Sequence, residues 1–232
     1  MQLLNTTASN TKIAKSQDSM ANVRIASLSL YPDDVICPAR HVAGCAKPCL
    51  VSAGRGSFSN VIEARKKKSQ YWHDDRERFL AQLRTEMHSF IKSCKRKGVT
   101  PVFRLNTISD IRWEKFLDME GEFGDALFYD YTKLADRLKK IPSNYKLMFS
   151  YSNRLEFQRQ VGKALATNVP MTVVFRNGFP KTFLGRVVID GDKSDLYNSM
   201  SGNVIVGLRA KGKAKSDDSD FVVDNPDLIH AA

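Results

Sequence analysis

The sequence predicts an α/β protein of one domain, a partial (β/α)6 barrel with a cysteine-rich loop after its first strand. Short apolar strands alternate with stretches of helical composition, and each strand gives way to polar residues. The 232 residues suffice for one full core but fall short of the ~250 usual for a complete eight-stranded barrel. Strands that are apolar almost throughout imply cover on both sheet faces, as parallel strands have. A doubly wound open sheet is the structural alternative.

In order, a polar opening over residues 1–20 leads to the alternating Val23-Arg24-Ile25-Ala26-Ser27-Leu28-Ser29-Leu30, a first strand that Tyr31-Pro32-Asp33-Asp34 stops. Residues 37–56 hold two prolines and three glycines and read as a loop. Residues 59–97 are helical in composition, with Phe79, Leu80, Leu83, Met87, Phe90 and Ile91 marking an apolar face and a break near Trp72 to Asp74. Lys97-Gly98 ends that run and Val99 to Leu105 forms the second strand. Further strands are expected at Ala126 to Tyr129, Lys146 to Phe149, Met171 to Phe175, Arg186 to Ile189 and Val204 to Leu208, each but the last leading into a helical stretch or turn. The Arg186 piece is either the sixth barrel strand or an accessory one. The barrel domain spans 21–215, and 216–232 reads as a loosely packed, flexible tail.

Composition narrows the function classes. Hydrophobic residues at 42% and charged residues at 26% exclude wholesale disorder. The opening lacks the apolar run of a secretory signal or membrane span, so a soluble, cytoplasmic protein without a membrane partner is expected. A formal net charge of +11 favours nucleic acid or another polyanion as partner. The basic residues gather at Arg65 to Lys68, Lys92 to Lys97 and Arg209 to Lys215, where solvated helix faces are the plainer explanation.

Cys37, Cys45 and Cys49, separated by seven and then three residues, form a cluster that in a reducing compartment indicates metal rather than disulfides. Thiolates suit an iron–sulfur cluster or zinc. Three cysteines leave one metal position open for a substrate or cofactor, whereas a zinc site would be closed by His41 or Cys94. Cys94 is otherwise a helix residue without special role, and three unliganded thiols are the remaining alternative. In parallel barrels the working residues lie after the strands, at the C-terminal mouth. Asn106, Ser109, Asp110, Asp130, Ser150, Ser152, Arg176, Asp190, Asp192 and Lys211 occupy such positions, although Ser, Asp and Asn also serve as helix caps. Asp110, Asp130, Asp190 and Asp192 could alternatively bind Mg²⁺ in a hydrolase. A binding module would grip phosphates with Arg55, Arg65 to Lys68 and Lys92 to Lys97, and stack bases on Tyr71 and Trp72.

The stretches Cys37-Pro38-Ala39, Gly44-Cys45, Cys49-Leu50 and Ala53-Gly54-Arg55-Gly56, with Ala64-Arg65, resemble a family of bacteriophage proteins called gene product eighty-eight. Arg104-Leu105-Asn106, Ser109-Asp110-Ile111, Phe128-Tyr129-Asp130-Tyr131 and Pro142-Ser143-Asn144-Tyr145 continue the resemblance, which covers residues 20 to 213. It brings no reaction with it; it places the protein in the host cytoplasm.

More distantly, the layout resembles the radical S-adenosylmethionine enzymes, with their six-stranded partial barrel and cluster loop after the first strand. That resemblance implies a [4Fe-4S] cluster on Cys37, Cys45 and Cys49, S-adenosylmethionine as cofactor, and an electron donor as partner. Asn106, Asp110, Asp130, Ser150 and Arg176 would be cofactor-binding, and Asp190, Asp192, Arg209 and Lys211 would meet a nucleic acid, nucleotide or phosphorylated metabolite. The spacing departs from the superfamily's three and two, and Arg104-Leu105-Asn106 stands where it has glycine–glycine–glutamate.

Overall fold

In the computed structural model the described residues are 1–6, 22–192, 202–225 and 227. Strand β1 covers Leu4–Thr6 and β2 Val23–Leu28. Helices α1 (Ser59–Asp74) and α2 (Arg76–Arg96) follow, then β3 (Thr100–Arg104), β4 (Leu127–Thr132) and β5 (Tyr145–Ser150). Helix α3 (Gln158–Leu165) precedes β6 (Met171–Phe175), β7 (Thr182–Phe183), β8 (Arg186–Asp190) and β9 (Ile205–Arg209). The nine strands form one open sheet in the order β1-β2-β3-β4-β5-β6-β9-β8-β7. Neighbours from β2 to β8 are parallel, and only the two edge pairs, β1 with β2 and β7 with β8, are antiparallel.

Six parallel strands, β2, β3, β4, β5, β6 and β9, therefore succeed one another in chain order. From β2 to β6, right-handed crossovers between strands laid down in order carry their connections to one face of the sheet. The two faces differ accordingly. One carries Phe103, Phe128, Phe149 and Phe175 and packs with Phe79, Leu83, Met87 and Phe90 of α2 into the main core. The other carries a small cluster of Ile25, Val102, Tyr129, Met148 and Val206.

Several elements differ from the sequence expectation. The opening is not merely polar: Leu4 pairs with Leu28, Leu3 is fully buried, and Glu86 accepts from the Leu3 and Leu4 N–H groups; the remainder of that segment, 7–21, lies outside the described residues. Helices follow only some strands, because β3 and β4 are succeeded by short 3-10 turns at Trp113–Lys115 and Ala135–Lys139. The β4–β5 connection is 12 residues long and contains Pro142, which leaves no room for an amphipathic helix. The Arg186 strand lies outside β9, so it is accessory to the sheet, and Ile205–Arg209 is the strand that pairs with β6. The expected loose tail is packed as far as the described residues go: Asp217, Val222, Val223 and Asn225 are buried, and Val223 bridges to Phe175.

The expected helix break falls at Asp75, whose carboxylate caps α2 by accepting from the Arg78 N–H at 2.9 Å. Trp72, a candidate base-stacking surface in the sequence, is instead core. It is 2% exposed and meets Phe79, Trp113 and Phe116 edge-on.

Phe128 has no exposed surface and touches Phe103, Phe123 and Tyr145 at ring separations of 5.4–6.4 Å. Phe128→Ala is predicted to lower unfolding free energy by about 3–5 kcal/mol, read from urea denaturation.

Candidate functional site

The segment between β2 and α1 is pinned at several places. Asp33 accepts from the Val35 and Ile36 N–H groups, and the Cys37 N–H donates to the Asp33 carbonyl at 2.8 Å. The Asp110 N–H, after β3, donates to the Ile36 carbonyl at 2.9 Å, and Ser152 Oγ, after β5, donates to the Ala43 carbonyl at 2.8 Å. Gly44, at φ +69°, precedes Cys45 where an added Cβ would come within 2.9 Å of the Ser219 carbonyl, so the turn requires glycine. Ser219 Oγ donates to the Gly44 carbonyl at 2.8 Å.

This loop covers a cavity of about 260 Å³ at the C-terminal ends of the parallel strands. Cys37, Cys45 and Cys49, all partly buried, line it together with Arg40, Arg104, Asn106, Asp110, Tyr131, Lys133, Ser150, Thr172, Asp192, Arg209 and Lys211. Burial raises the pKa of all three thiols. The charges of Asp110 and the other two cysteines add to this at Cys37, Lys133 opposes it at Cys45, and Arg40 pulls against it at all three. Lys133 is itself lowered to about 8 by burial, against the pull of Cys45 and Asp110.

Of the residues predicted from sequence, Asn106, Ser109, Asp110, Ser150, Asp192, Arg209 and Lys211 come together at this cavity with the cysteines. Their side chains are not equally available. Asn106 Oδ1 accepts from Ser109 Oγ, the Ile111 N–H and Trp113 Nε1, and its Nδ2 donates to the Ile111 carbonyl. That amide shapes the turn after β3. Asp110 is bound by Arg137 at 2.7 Å and by the Lys133 N–H at 2.7 Å. Asp192 pairs with Lys211 and accepts from the Arg209 N–H.

Asp130, Arg176 and Asp190 do not line the cavity. Asp130 accepts from the Asn106 N–H at 2.8 Å and the Tyr145 hydroxyl at 2.9 Å, buried on the helix-packed side of β4. Arg176 holds Asp224 and the carbonyls of Lys215 and Asp217. Asp190 pairs with Arg209. Ser152 is fully buried and spent on the Ala43 carbonyl.

Sequence reasoning missed Arg104, Tyr131, Lys133 and Thr172. Period-two counting along the strands could have found Arg104, Tyr131 and Thr172, because they share the face opposite the main core. The Ser150 and Thr172 hydroxyls, on paired strands at register-matched positions, make no hydrogen bond to any described residue and face the cavity.

The expected zinc-closing residues lie elsewhere. His41 is exposed and bonded to Asp34 at 2.8 Å, and Cys94 is buried near the end of α2, just before the N-terminal end of β3. Among the described residues no group of three or more His, Cys, Asp and Glu is arranged to hold a metal ion. Three soft sulfur donors line one cavity, a donor type suited to an iron–sulfur cluster, and Arg40, which lines the same cavity, has a buried Nε without a hydrogen-bond acceptor.

A family model, Gene product 88, matches residues 2–225. The chain belongs to the Gene product 88 family. Every residue that lines the cavity falls inside the matched span. No curated protein and no solved structure matches the chain. No described helix is long and apolar enough to cross a membrane.

Burial raises the Asp130 carboxyl to about 7, against the pull of the Asn106 N–H, the Arg104 charge and the Tyr145 hydroxyl. The folded chain thus keeps a proton that the unfolded chain releases above its ordinary 3.8. Stability from this group is full below that value and is lost as pH rises towards about 7. Asp130→Asn is predicted to flatten this part of the stability–pH curve, read by urea denaturation at intervals from pH 4 to 8.

Proposed function

We propose that this chain is an iron–sulfur protein that carries its cluster on Cys37, Cys45 and Cys49, and that it is an enzyme of the radical S-adenosylmethionine type acting on a nucleotide or phosphorylated metabolite. The observation that carries the reading is that one loop, directly after the first of six sequential parallel strands, brings three thiols to a single cavity at the strands' C-terminal ends. The order of those strands supports a partial-barrel reading of the open sheet.

When bound, such a cluster supplies a low-potential electron for cleavage of S-adenosylmethionine. The chain's own residues bind, orient and shield. The loop shields the cavity, Ser150 and Thr172 offer hydroxyls to a polar ligand, and Arg104 stacks over Tyr131 with its guanidinium carbon 4.9 Å from the ring centroid. Five lining cations, Arg40, Arg104, Lys133, Arg209 and Lys211, face two lining carboxylates, Asp110 and Asp192, which favours an anionic occupant.

A nucleic-acid-binding module with a structural iron–sulfur or zinc site has less support. The Lys92 to Lys97 run closes α2 just before the start of β3, at the N-terminal end of that strand and so away from the cavity. Lys68 is buried with its ammonium on the Leu3 carbonyl, and Arg65 donates to the Gly56 carbonyl.

The test is iron, sulfide and zinc content of anaerobically purified protein, with visible absorption before and after S-adenosylmethionine. The reading expects close to ~4 irons and ~4 sulfides per chain and a spectral response to the cofactor; zinc alone, or no metal, overturns it. Cys45→Ala is predicted to lose most of the bound iron, and full retention would refute the three-ligand assignment.

A further inference from the structure

We infer that Arg40 and Lys133 are charge-positioning residues for the three-cysteine site, presenting buried positive charge to the thiolates and thereby setting the reduction potential of the group they hold. This rests on the iron–sulfur reading above. Arg40 lies on the loop between Cys37 and Cys45, and its Nη1 donates to the Pro32 carbonyl at 2.8 Å, which fixes the guanidinium. Its Nε is buried without an acceptor; the nearest carboxylate, Asp34, is exposed and 3.8 Å away, beyond hydrogen-bond reach. A buried N–H without a partner costs free energy, and the sulfur atoms of a thiolate-bound cluster are the acceptors that this cavity would bring to it.

Lys133 lines the same cavity, directly after β4. Its Nζ donates to the Ser150 and Tyr151 carbonyls at 3.1 and 3.0 Å and stands 4.4 Å from the Phe221 ring centroid. Among the described residues it forms no ion pair, although its residue is only 8% exposed. Its ammonium is held by carbonyls and ring faces, and the carboxylate that acts on it through charge, Asp110, is already paired with Arg137. Cys45 is the lining group to which it is most strongly coupled electrostatically. Lys133 thus brings to the cavity a buried charge without an ion pair among the described residues, and Arg40 one whose carboxylate partner, Asp34, is exposed; three thiolates would balance both.

Reduction adds one electron to the bound group, so nearby positive charge and N–H donors to sulfur favour the reduced form and raise the potential. The experiment uses full-length wild type, Arg40→Gln, Arg40→Lys and Lys133→Met, each reconstituted anaerobically with ferrous iron and sulfide. Iron per chain and the midpoint potential are measured, with redox dyes as indicators and dithionite as reductant.

Arg40→Gln and Lys133→Met are expected to keep wild-type iron and shift the midpoint negative by about tenfold in the reduction equilibrium, ~59 mV for one electron. Arg40→Lys, which keeps the charge but loses the Nε donor, is expected to shift less. Loaded Arg40→Gln and Lys133→Met at the wild-type potential overturn the inference while leaving the cluster reading intact. Wild type that takes up no iron overturns both. Should Arg40→Gln fail to fold, Lys133→Met decides by the same two outcomes.

Discussion

Arg137 ties together the parts of the chain on which the cavity depends. Its guanidinium is fully buried and spans Asp110 at 2.7 Å, Glu114 at 2.8 Å and the Tyr145 hydroxyl at 3.1 Å. Asp110 in turn accepts from the Lys133 N–H and donates its own N–H to the Ile36 carbonyl, one residue before Cys37. One cation therefore joins the turn after β3, the 3-10 turn after β4, the start of β5 and the root of the cysteine loop. A buried pair of this kind adds little net stability over an apolar substitute, but breaking it by removing one partner costs about 3–5 kcal/mol. Its value here is geometric, because it fixes where three separate loops meet.

Around that anchor the molecule separates its charges by place. The two sheet faces divide the labour, one packing with the helices into the aromatic core and the other floored by Ile25, Val102, Tyr129, Met148 and Val206. Above that floor the cavity collects sulfur, hydroxyl and cationic side chains. The exposed basic residues that end α2 sit before the N-terminal end of β3, where they complement the negative end of the helix dipole. That basic run is thus remote from the cavity, whose own cations are the buried Arg104 and Lys133, the partly buried Arg40 and the exposed Arg209 and Lys211.

The strand segments were legible because their apolar runs are bounded by turn residues, and α2 was legible because Phe79, Leu83, Met87 and Phe90 recur at helical spacing. The helical connections after β3 and β4 were over-read. Short segments such as Trp113–Lys115 are held by side-chain bonds to Asn106 and Arg137 rather than by local propensity. Because Asp130 follows an apolar run, the sequence alone points it to the mouth. The strand instead continues to Thr132, and alternation turns the carboxylate into the helix-packed side. Leu4 at one end and Val223 at the other pair with strands far away in sequence, which local composition does not register.

The sequence by itself determined the α/β class, the family, and the three cysteines as the group most worth locating, since each of these is carried by local pattern and residue chemistry. Only the tertiary structure decided the strand order, with Ile205–Arg209 between β6 and β8, and it alone put Arg40 and Lys133 beside the thiols while removing His41 and Cys94 from them. The reason is physical: side-chain chemistry is a property of the residue, whereas which charges share a buried space follows from long-range pairing and from which face of a strand each residue occupies.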